Sequence, residues 1–179
     1  VGNAKGYTSV IVMPETQSEE KKEVLRVFGA DLRLVPAKPY KDPGNYVRYS
    51  ERLATELAET HEAGVIWANQ FDNTANLIGH YRTTGPEIWQ QTDGKIDGFT
   101  CAVGSGGTIA GVGKYLKEQN PDVRIALSDP DGSALYGHYI HGELKAEGNS
   151  ISEGIGQGRI TANLAEAPID TAYRLSDVN

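Results

Sequence analysis

A glycine-rich segment that follows a short apolar run places the strongest constraint on how this chain can fold. Residues 98–117 read GFTCAVGSGGTIAGVGKYLK: the apolar run covers 99–103, and a sequence suited to a helix extends from 109 to 119. This order predicts a β-strand, a tight turn and an α-helix. Strands that alternate with helices along a chain pair in parallel, so the expected fold class is α/β.

The turn between this strand and this helix has the properties of a phosphate-binding loop. It reads Gly104-Ser105-Gly106-Gly107-Thr108, and its glycines allow backbone N–H groups to approach an anion without interference from Cβ atoms. The helix dipole adds about half a positive charge at the same point. We therefore predict that these amides and the two hydroxyls hold a phosphate. The alternative is a tight turn that binds nothing.

Two common phosphate motifs do not match this loop. A dinucleotide fingerprint requires glycine three residues after Gly106, where this chain has Ile109. A Walker loop requires Gly-Lys-Ser/Thr, whereas Gly113-Lys114 is followed by Tyr115. The loop therefore has no adjacent lysine or metal ligand, and a cofactor with one phosphate suits it better than a triphosphate.

Composition narrows the class of partner. The net charge is −7 and acidic and basic residues are interleaved, so we expect a small-molecule substrate and neither a nucleic acid nor a membrane as partner. The single cysteine, Cys101, lies in the apolar run and is interpreted as a small buried hydrophobic residue. It allows no disulfide, and no signal peptide is recognised, so we expect a cytoplasmic protein. The histidines lack companions at ligand spacing, and we predict no metal site.

The rest of the chain continues the alternation of strands and helices. The first predicted helix starts with a capping box at Thr16 and Glu19, and its buried stripe is expected to contain Val24, Leu25, Val27 and Phe28. A buried strand at 65–68 would place Gln70 and Phe71 at its carboxyl end, where ligands collect in open α/β sheets. The remaining predictions are strands at 7–13, 31–35 and 123–127, the start of a strand at 173–179, helices at 45–61 and 74–81, and a helix at 86–91 after a break at Gly85-Pro86.

Four motifs together resemble one enzyme family. In order they are Asn69-Gln70-Phe71-Asp72-Asn73, the stretch 83–88 (TTGPEI), the loop 104–108 and the stretch 153–156 (EGIG). Cysteine synthase, the O-acetylserine sulfhydrylase branch of the fold-type-II pyridoxal-phosphate enzymes, has similar motifs in this order. The resemblance implies parallel, open, twisted sheets flanked by helices. It also implies parts of two domains, with 1–73 in the small N-terminal domain and 74–179 in the large domain that binds the cofactor phosphate.

The resemblance also implies a reaction and a set of site residues. The family replaces the acetoxy group of O-acetylserine with sulfide, giving cysteine and acetate with pyridoxal 5'-phosphate as cofactor. By residue, Gly104, Ser105, Gly106, Gly107 and Thr108 would bind the cofactor phosphate, and Gln70, Phe71, Gly154 and Ile155 would bind the substrate. Family members are usually homodimers, and some bind serine acetyltransferase.

The chain departs from the family pattern at both ends. None of its lysines lies in the Ser-x-Lys-x-Arg context of the Schiff-base lysine, so no catalytic residue is assigned. The loop that binds the substrate carboxylate and the serine that partners the pyridine nitrogen are also not found, and Glu153 stands where many relatives have glutamine. We therefore expect an internal fragment that is inactive by itself. The alternatives are an enzyme similar to cystathionine β-synthase, or a non-catalytic phosphate-binding or assembly module.

Overall fold

A computed structural model describes residues 1–178, and Asn179, the last residue of the strand predicted at 173–179, lies outside the described residues. The described chain divides into two compact units, one from Val1 to Asn69 and one from Gln70 onward. Within the first unit a parallel pair of strands, β1 (Val10–Pro14) and β2 (Asp31–Val35), pairs with Val10 opposite Asp31. The helices of this unit are α1 (Glu19–Val27) and α2 (Tyr46–Ala58). The assignment of the units to a small and a large domain stays a prediction.

Helix α2 begins where its sequence predicts. Asn45 is the N-cap, and its side chain accepts a hydrogen bond from the backbone N–H of Val47 at 3.0 Å. This bond satisfies one of the N–H groups that a helix start leaves without an intrahelical partner. The helix ends at Ala58, three residues before the predicted end at His61.

Helix α1 corrects two predictions. Its N-cap is Ser18, not Thr16, because β1 continues to Pro14 and the residues that follow form a turn in which Gln17 N–H donates to the Pro14 carbonyl. The predicted buried stripe is largely exposed: Val27 is 77% and Phe28 65% accessible. The inward side chain is instead Lys22, which donates to the Glu15 carbonyl at 2.7 Å. Leu25, three residues after Lys22, lies on the same inward face of the helix. The other apolar residues of the predicted stripe therefore point away from that face.

The buried strand predicted at 65–68 is not found. These residues form no strand in the described chain, and Ile66 is 88% exposed. A short apolar run becomes a strand only when a neighbouring strand satisfies its backbone groups, and the sheet of this unit consists of β1 and β2. Gln70 and Phe71 therefore do not follow a strand, and their position has another cause, described below.

The second unit is a three-stranded parallel sheet with helices around it. Its strands are β3 (Gly98–Ala102), β4 (Arg124–Pro130) and β5 (Thr171–Leu175), in the order β3-β4-β5, with Gly98 opposite Arg124 and Ala126 opposite Thr171. The helices are α3 (Ala75–Arg82), α4 (Thr84–Gln91), α5 (Gly107–Gln119), α6 (Leu135–His141) and α7 (Ala162–Ala165). Parallel sheets with flanking helices confirm the predicted fold class.

The core of this unit lies between α5 and β4. Helix α5 is closely packed because Gly111 allows α3 to approach: a Cβ atom there would lie 2.7 Å from the Tyr81 nitrogen. The break predicted at Gly85-Pro86 falls instead at Thr83, since both residues fit the first turn of α4, where proline loses no hydrogen bond. The buried cluster consists of Val103, Ile109, Val112, Leu116, Val123, Ile125, Leu127, Leu135, Leu164 and Ala172.

No helix among the described residues combines the length and the apolar character needed to cross a bilayer.

Candidate functional site

The loop between β3 and α5 presents backbone donors without protein acceptors. Gly106 adopts a left-handed conformation with φ of 90°, which turns the chain into the helix. In the part of the chain that the structure describes, the amide nitrogens of Gly104, Ser105 and Gly106 make no hydrogen bond. Gly107 makes only a long one, 3.4 Å to the Ser105 hydroxyl. Unpaired amides at a helix N-terminus form a site for an anion.

Side chains from α3 hold both hydroxyls of the loop. The amide Nδ2 of Asn76 donates to Ser105 Oγ at 2.8 Å, and His80 Nε2 lies 3.2 Å from Thr108 Oγ1. The other ring nitrogen of His80 lies 3.0 Å from Thr84 Oγ1. These contacts give His80 a structural role. No pattern in the sequence indicates that Asn76 belongs to this site.

The predicted substrate residues Gln70 and Phe71 lie near this loop and are held by their backbone carbonyls. The Gln70 carbonyl accepts from Asn76 Nδ2 at 2.8 Å and from Asn163 Nδ2 at 3.0 Å. The Phe71 carbonyl accepts from Asn163 Nδ2 at 2.8 Å. Asn163 is fully buried. Asparagine contacts, not a strand end, therefore place these residues beside Ser105.

The predicted residue Gly154 lies against Gly104 of the loop, and Ile155 follows it. The carbonyl oxygen of Gly154 would be 2.6 Å from a Cβ atom on Gly104, and Gly156 N–H donates to the Val103 carbonyl at 2.8 Å. Ile155 lines a cavity of about 330 Å³ at the carboxyl ends of β3, β4 and β5. Ligands of open α/β sheets bind at this edge. Ala102, Ser128, Pro130, Ile151, Ser152, Leu175, Ser176 and Asp177 line the rest of the cavity.

An ion pair joins the motif at 69–73 to the chain after Gly158. The Arg159 guanidinium donates to both carboxylate oxygens of Asp72, at 2.9 and 2.7 Å, and the Ala162 N–H donates to the same carboxylate at 3.0 Å. The Arg159 hydrogen bond, followed by that of Ala162, holds the pKa of Asp72 below its ordinary value against the opposing effect of burial. The pair is half-buried and stays charged at neutral pH. Sequence reasoning missed it, since 87 positions separate the partners.

Two other features of the described chain bear on its chemistry, the single cysteine and the side chains that could bind a metal. Burial raises the pKa of Cys101 to about 11, so its thiol is a poor nucleophile, in agreement with its interpretation as a small hydrophobic residue. Within residues 1–178 no three side chains of His, Cys, Asp or Glu cluster in a way that could hold a metal ion.

The fold and the loop define a class of protein, and comparison with known sequences agrees. A family model described as "Pyridoxal-phosphate dependent enzyme" matches residues 1–179, so the chain belongs to that family, which uses pyridoxal phosphate as cofactor. It is 47% identical to cysteine synthase 1 of Neurospora crassa and 47% identical to cysteine synthase 1 of Emericella nidulans. Each alignment covers 99% of this chain and 47% or 48% of the relative, so the chain spans about half the length of these proteins.

A solved structure shows the same fold. An O-acetylserine dependent cystathionine beta-synthase from Helicobacter pylori matches with a TM-score of 0.82 and 31% identity, over 99% of this chain and 54% of that one. The family and fold predicted from the four motifs are confirmed. The individual site residues Gly104 to Thr108, Gln70, Phe71, Gly154 and Ile155 stay predictions.

The residues present fit the phosphate end of this cofactor. Three consecutive amides without protein acceptors, two hydroxyls and a helix N-terminus supply the donors that a phosphate requires. The glycines of the loop are required by the space around them. A Cβ atom on Gly106 would lie 2.7 Å from the Leu164 side chain, and one on Gly107 would overlap the Asn76 side chain. The loop could therefore not keep this form with larger residues.

Proposed function

We propose that the full-length protein containing this chain is a cysteine synthase that converts O-acetylserine and sulfide to cysteine and acetate. The observation that carries the proposal is the set of unpaired amides at Gly104, Ser105 and Gly106, beside the two predicted substrate segments. The similarity to fungal cysteine synthases supports it.

The residues of this chain would bind and orient. The loop 104–108 would anchor the phosphate by its amides and by the hydroxyls of Ser105 and Thr108. Gln70 would contact the substrate amino acid, Phe71 would shape its pocket, and the backbone at Gly154 and Ile155 would limit the space above the loop. When bound, pyridoxal phosphate supplies an electron sink for the bond changes at the substrate's α-carbon and β-carbon.

Conservative changes at the Thr108 hydroxyl test the phosphate site. In the full-length protein, Thr108→Val should weaken pyridoxal phosphate binding about tenfold, and Thr108→Ser should leave it within about twofold, because only valine removes the hydroxyl donor. The measurement is a titration of the apoprotein with the cofactor. Equal affinity of Thr108→Val and the unchanged protein would contradict the proposed cradle and favour a turn without a ligand.

We further propose that the 179-residue chain is inactive by itself. Three of its lysines in the second unit are engaged elsewhere: Lys114 with Glu166, Lys117 with Asp170 and Lys145 with Glu147. None lies in the family's Schiff-base context. The expected result is no cysteine formation and no lysine labelled after borohydride reduction with pyridoxal phosphate. A single labelled lysine found by mass spectrometry would contradict this.

A cystathionine β-synthase activity is the second candidate, favoured by the similarity to the Helicobacter pylori enzyme. Supplying the full-length protein with O-acetylserine and either sulfide or homocysteine separates the two. Faster cysteine formation supports the first proposal, and faster cystathionine formation supports the second. Absence of both products would indicate a non-catalytic module.

The setting of the enzyme is also a proposal. As family members usually do, the full-length protein would act as a cytoplasmic homodimer, and it would bind serine acetyltransferase through the C-terminal tail of that partner. Sedimentation of the full-length protein and binding of a peptide from that tail test these expectations.

A further inference from the structure

A segment of six residues, which follows the second predicted substrate segment, contacts both the 70–72 segment and the loop 104–108. We name residues 159–164 (RITANL) the return segment. At one end, Arg159 pairs with Asp72. At the other, the Thr161 hydroxyl donates to the Ser105 carbonyl at 2.6 Å, and the buried Leu164 side chain lies against Gly106. The return segment therefore touches the motif that holds Gln70 and the loop that would hold the phosphate.

Most contacts between the return segment and residues 70–77 come from neutral groups. Asn163 donates to the Gln70 and Phe71 carbonyls, and its own side-chain oxygen accepts from the Leu77 N–H at 3.1 Å. These bonds fix the backbone on both sides of Phe71. They do not contact the Phe71 ring, and the Asp72 carboxylate receives one neutral hydrogen bond, from the Ala162 N–H at 3.0 Å.

Arg159 supplies what the neutral contacts do not. Its guanidinium binds Asp72 through two parallel hydrogen bonds, a geometry that fixes orientation as well as distance. The same guanidinium carbon lies 5.9 Å from the centre of the Phe71 ring, within the range of a cation–π contact. One side chain thus holds the carboxylate at 72 and covers the ring at 71.

We propose that the pair Asp72–Arg159 positions the predicted substrate pocket, setting affinity for the amino-acid substrate without contributing to phosphate binding. This inference rests on the proposed function for Gln70 and Phe71. Arg159 acts through Phe71 and is a positioning residue, since its guanidinium contacts Asp72 and the Phe71 ring.

The chain contains a matched control pair. Lys117 and Asp170 form an ion pair of the same exposure, with side chains 23% and 28% accessible against 23% and 31% for Arg159 and Asp72. Asp170 also accepts a backbone N–H, that of Ile125 at 2.7 Å, as Asp72 accepts that of Ala162. Asp170→Asn should therefore cause a comparable loss of stability in a place that does not touch the return segment.

The test uses the full-length protein and three variants of the pair: Asp72→Asn, Arg159→Gln and the double variant that carries both changes. Asp170→Asn is the control. Each of the three variants of the pair should raise the KM for O-acetylserine about tenfold and leave kcat and the pyridoxal phosphate affinity within about twofold. The KM of the double variant should not exceed that of the more affected single variant. Arg159→Lys should recover part of the loss because it keeps the charge and loses the fork. Asp170→Asn should not change KM.

A second readout separates failure of this inference from failure of the proposed function. Hydrogen exchange of the Leu77 and Ala162 amides should become faster in Asp72→Asn than in Asp170→Asn, whether or not the protein makes cysteine. If the protein without substitutions makes no cysteine but the exchange result is as expected, the proposed function is overturned and the positioning role of the Asp72–Arg159 pair stands. Unchanged KM, a parallel loss of cofactor affinity, or equal exchange in the two Asn variants overturns the inference.

Discussion

The carbonyl oxygen of Gly154 occupies the space in which a side chain on Gly104 would begin, 2.6 Å from the position of its Cβ atom. This contact joins the predicted phosphate loop to the second predicted substrate segment, and it explains a glycine that the turn itself does not require. Gly104 has no positive φ, unlike Gly106, so its constraint is one of space and not of backbone conformation.

Gly104→Ala is expected to destabilise the chain by about 1–3 kcal/mol, because a methyl group there must displace a backbone carbonyl. Gly158→Ala is the control: it lies in the glycine-rich stretch that contains Gly154, has no positive φ, and nothing lies within 4 Å of the added atom. Its effect should be about 0.5 kcal/mol or less. Urea unfolding measures both, and equal values would show that the contact is not maintained.

Gly107→Ala should displace the Asn76 side chain, whose bonds to the Gln70 carbonyl and Ser105 Oγ would then be lost. The expected loss of stability is about 1–3 kcal/mol. The same change in an Asn76→Ala background should cost less, since the overlapping atoms are gone. In contrast, Gly79→Ala in α3 meets nothing within 4 Å and should stabilise by about 0.5–1 kcal/mol. Additivity of the first two changes would contradict the explanation.

Asp72 should make stability fall in acid. Its folded pKa lies below the ordinary value of 3.8, so the Arg159 pairing contributes fully above that value and is lost as pH falls through the folded pKa. The free energy of unfolding, measured by urea from about pH 7 to about pH 3, should fall less steeply for Asp72→Asn than for the unchanged chain. Parallel curves would show that the carboxylate does not retain its partner.

Asp129 should act in the opposite direction. It is fully buried in β4, its Oδ2 accepts the Tyr136 N–H at 2.7 Å, and burial raises its pKa above 3.8. A raised pKa disfavours the charged form in the folded state, so stability is greatest below the unfolded pKa and declines as pH rises through the folded one. Asp129→Asn should remove this decline while keeping an acceptor for Tyr136. The same urea series over pH measures the free energy of unfolding of this variant. A decline with rising pH that persists in Asp129→Asn would contradict the prediction.

Cys101 should resist thiol reagents at pH 8. With a pKa of about 11, only about one thiol in a thousand is ionised at that pH, and its side chain is half-buried. The single cysteine makes the assay simple: a colorimetric thiol reagent should react slowly with the folded chain and quickly in urea. Rapid reaction of the folded chain would mean that β3 opens readily.

Local patterns in the sequence were sufficient for elements with local causes. Strand β2 has its predicted bounds, Asp31–Val35, and α5 follows the glycine loop as expected. The run at 65–68 has the composition of a strand and is not one, because pairing depends on a partner elsewhere in the chain. The burial predicted in α1 is on the wrong side because Lys22 has its acceptor in Glu15, a backbone carbonyl in the turn before the helix, which the apolar periodicity of the helix does not indicate.

The candidate site divides in the same way. The loop 104–108 is visible in the sequence because three glycines fall within four consecutive positions. The contacts that place Gln70 and Phe71 come from Asn76, Asn163 and Arg159, which are ordinary polar residues, and Asn163 lies 92 positions from Phe71. No local pattern indicates which of many asparagines will donate to a given carbonyl, so this part of the site required the structure.

Because the return segment brings Asn163 back beside Gln70, the intervening polypeptide is a loop that is held at both ends. Residues 141–149 in that loop are all exposed. A protease cut there would leave the two pieces joined by the Asp72–Arg159 pair, the Asn163 hydrogen bonds and the parallel pairing of β4 with β5. The nicked protein would thus keep its candidate site assembled from two chains.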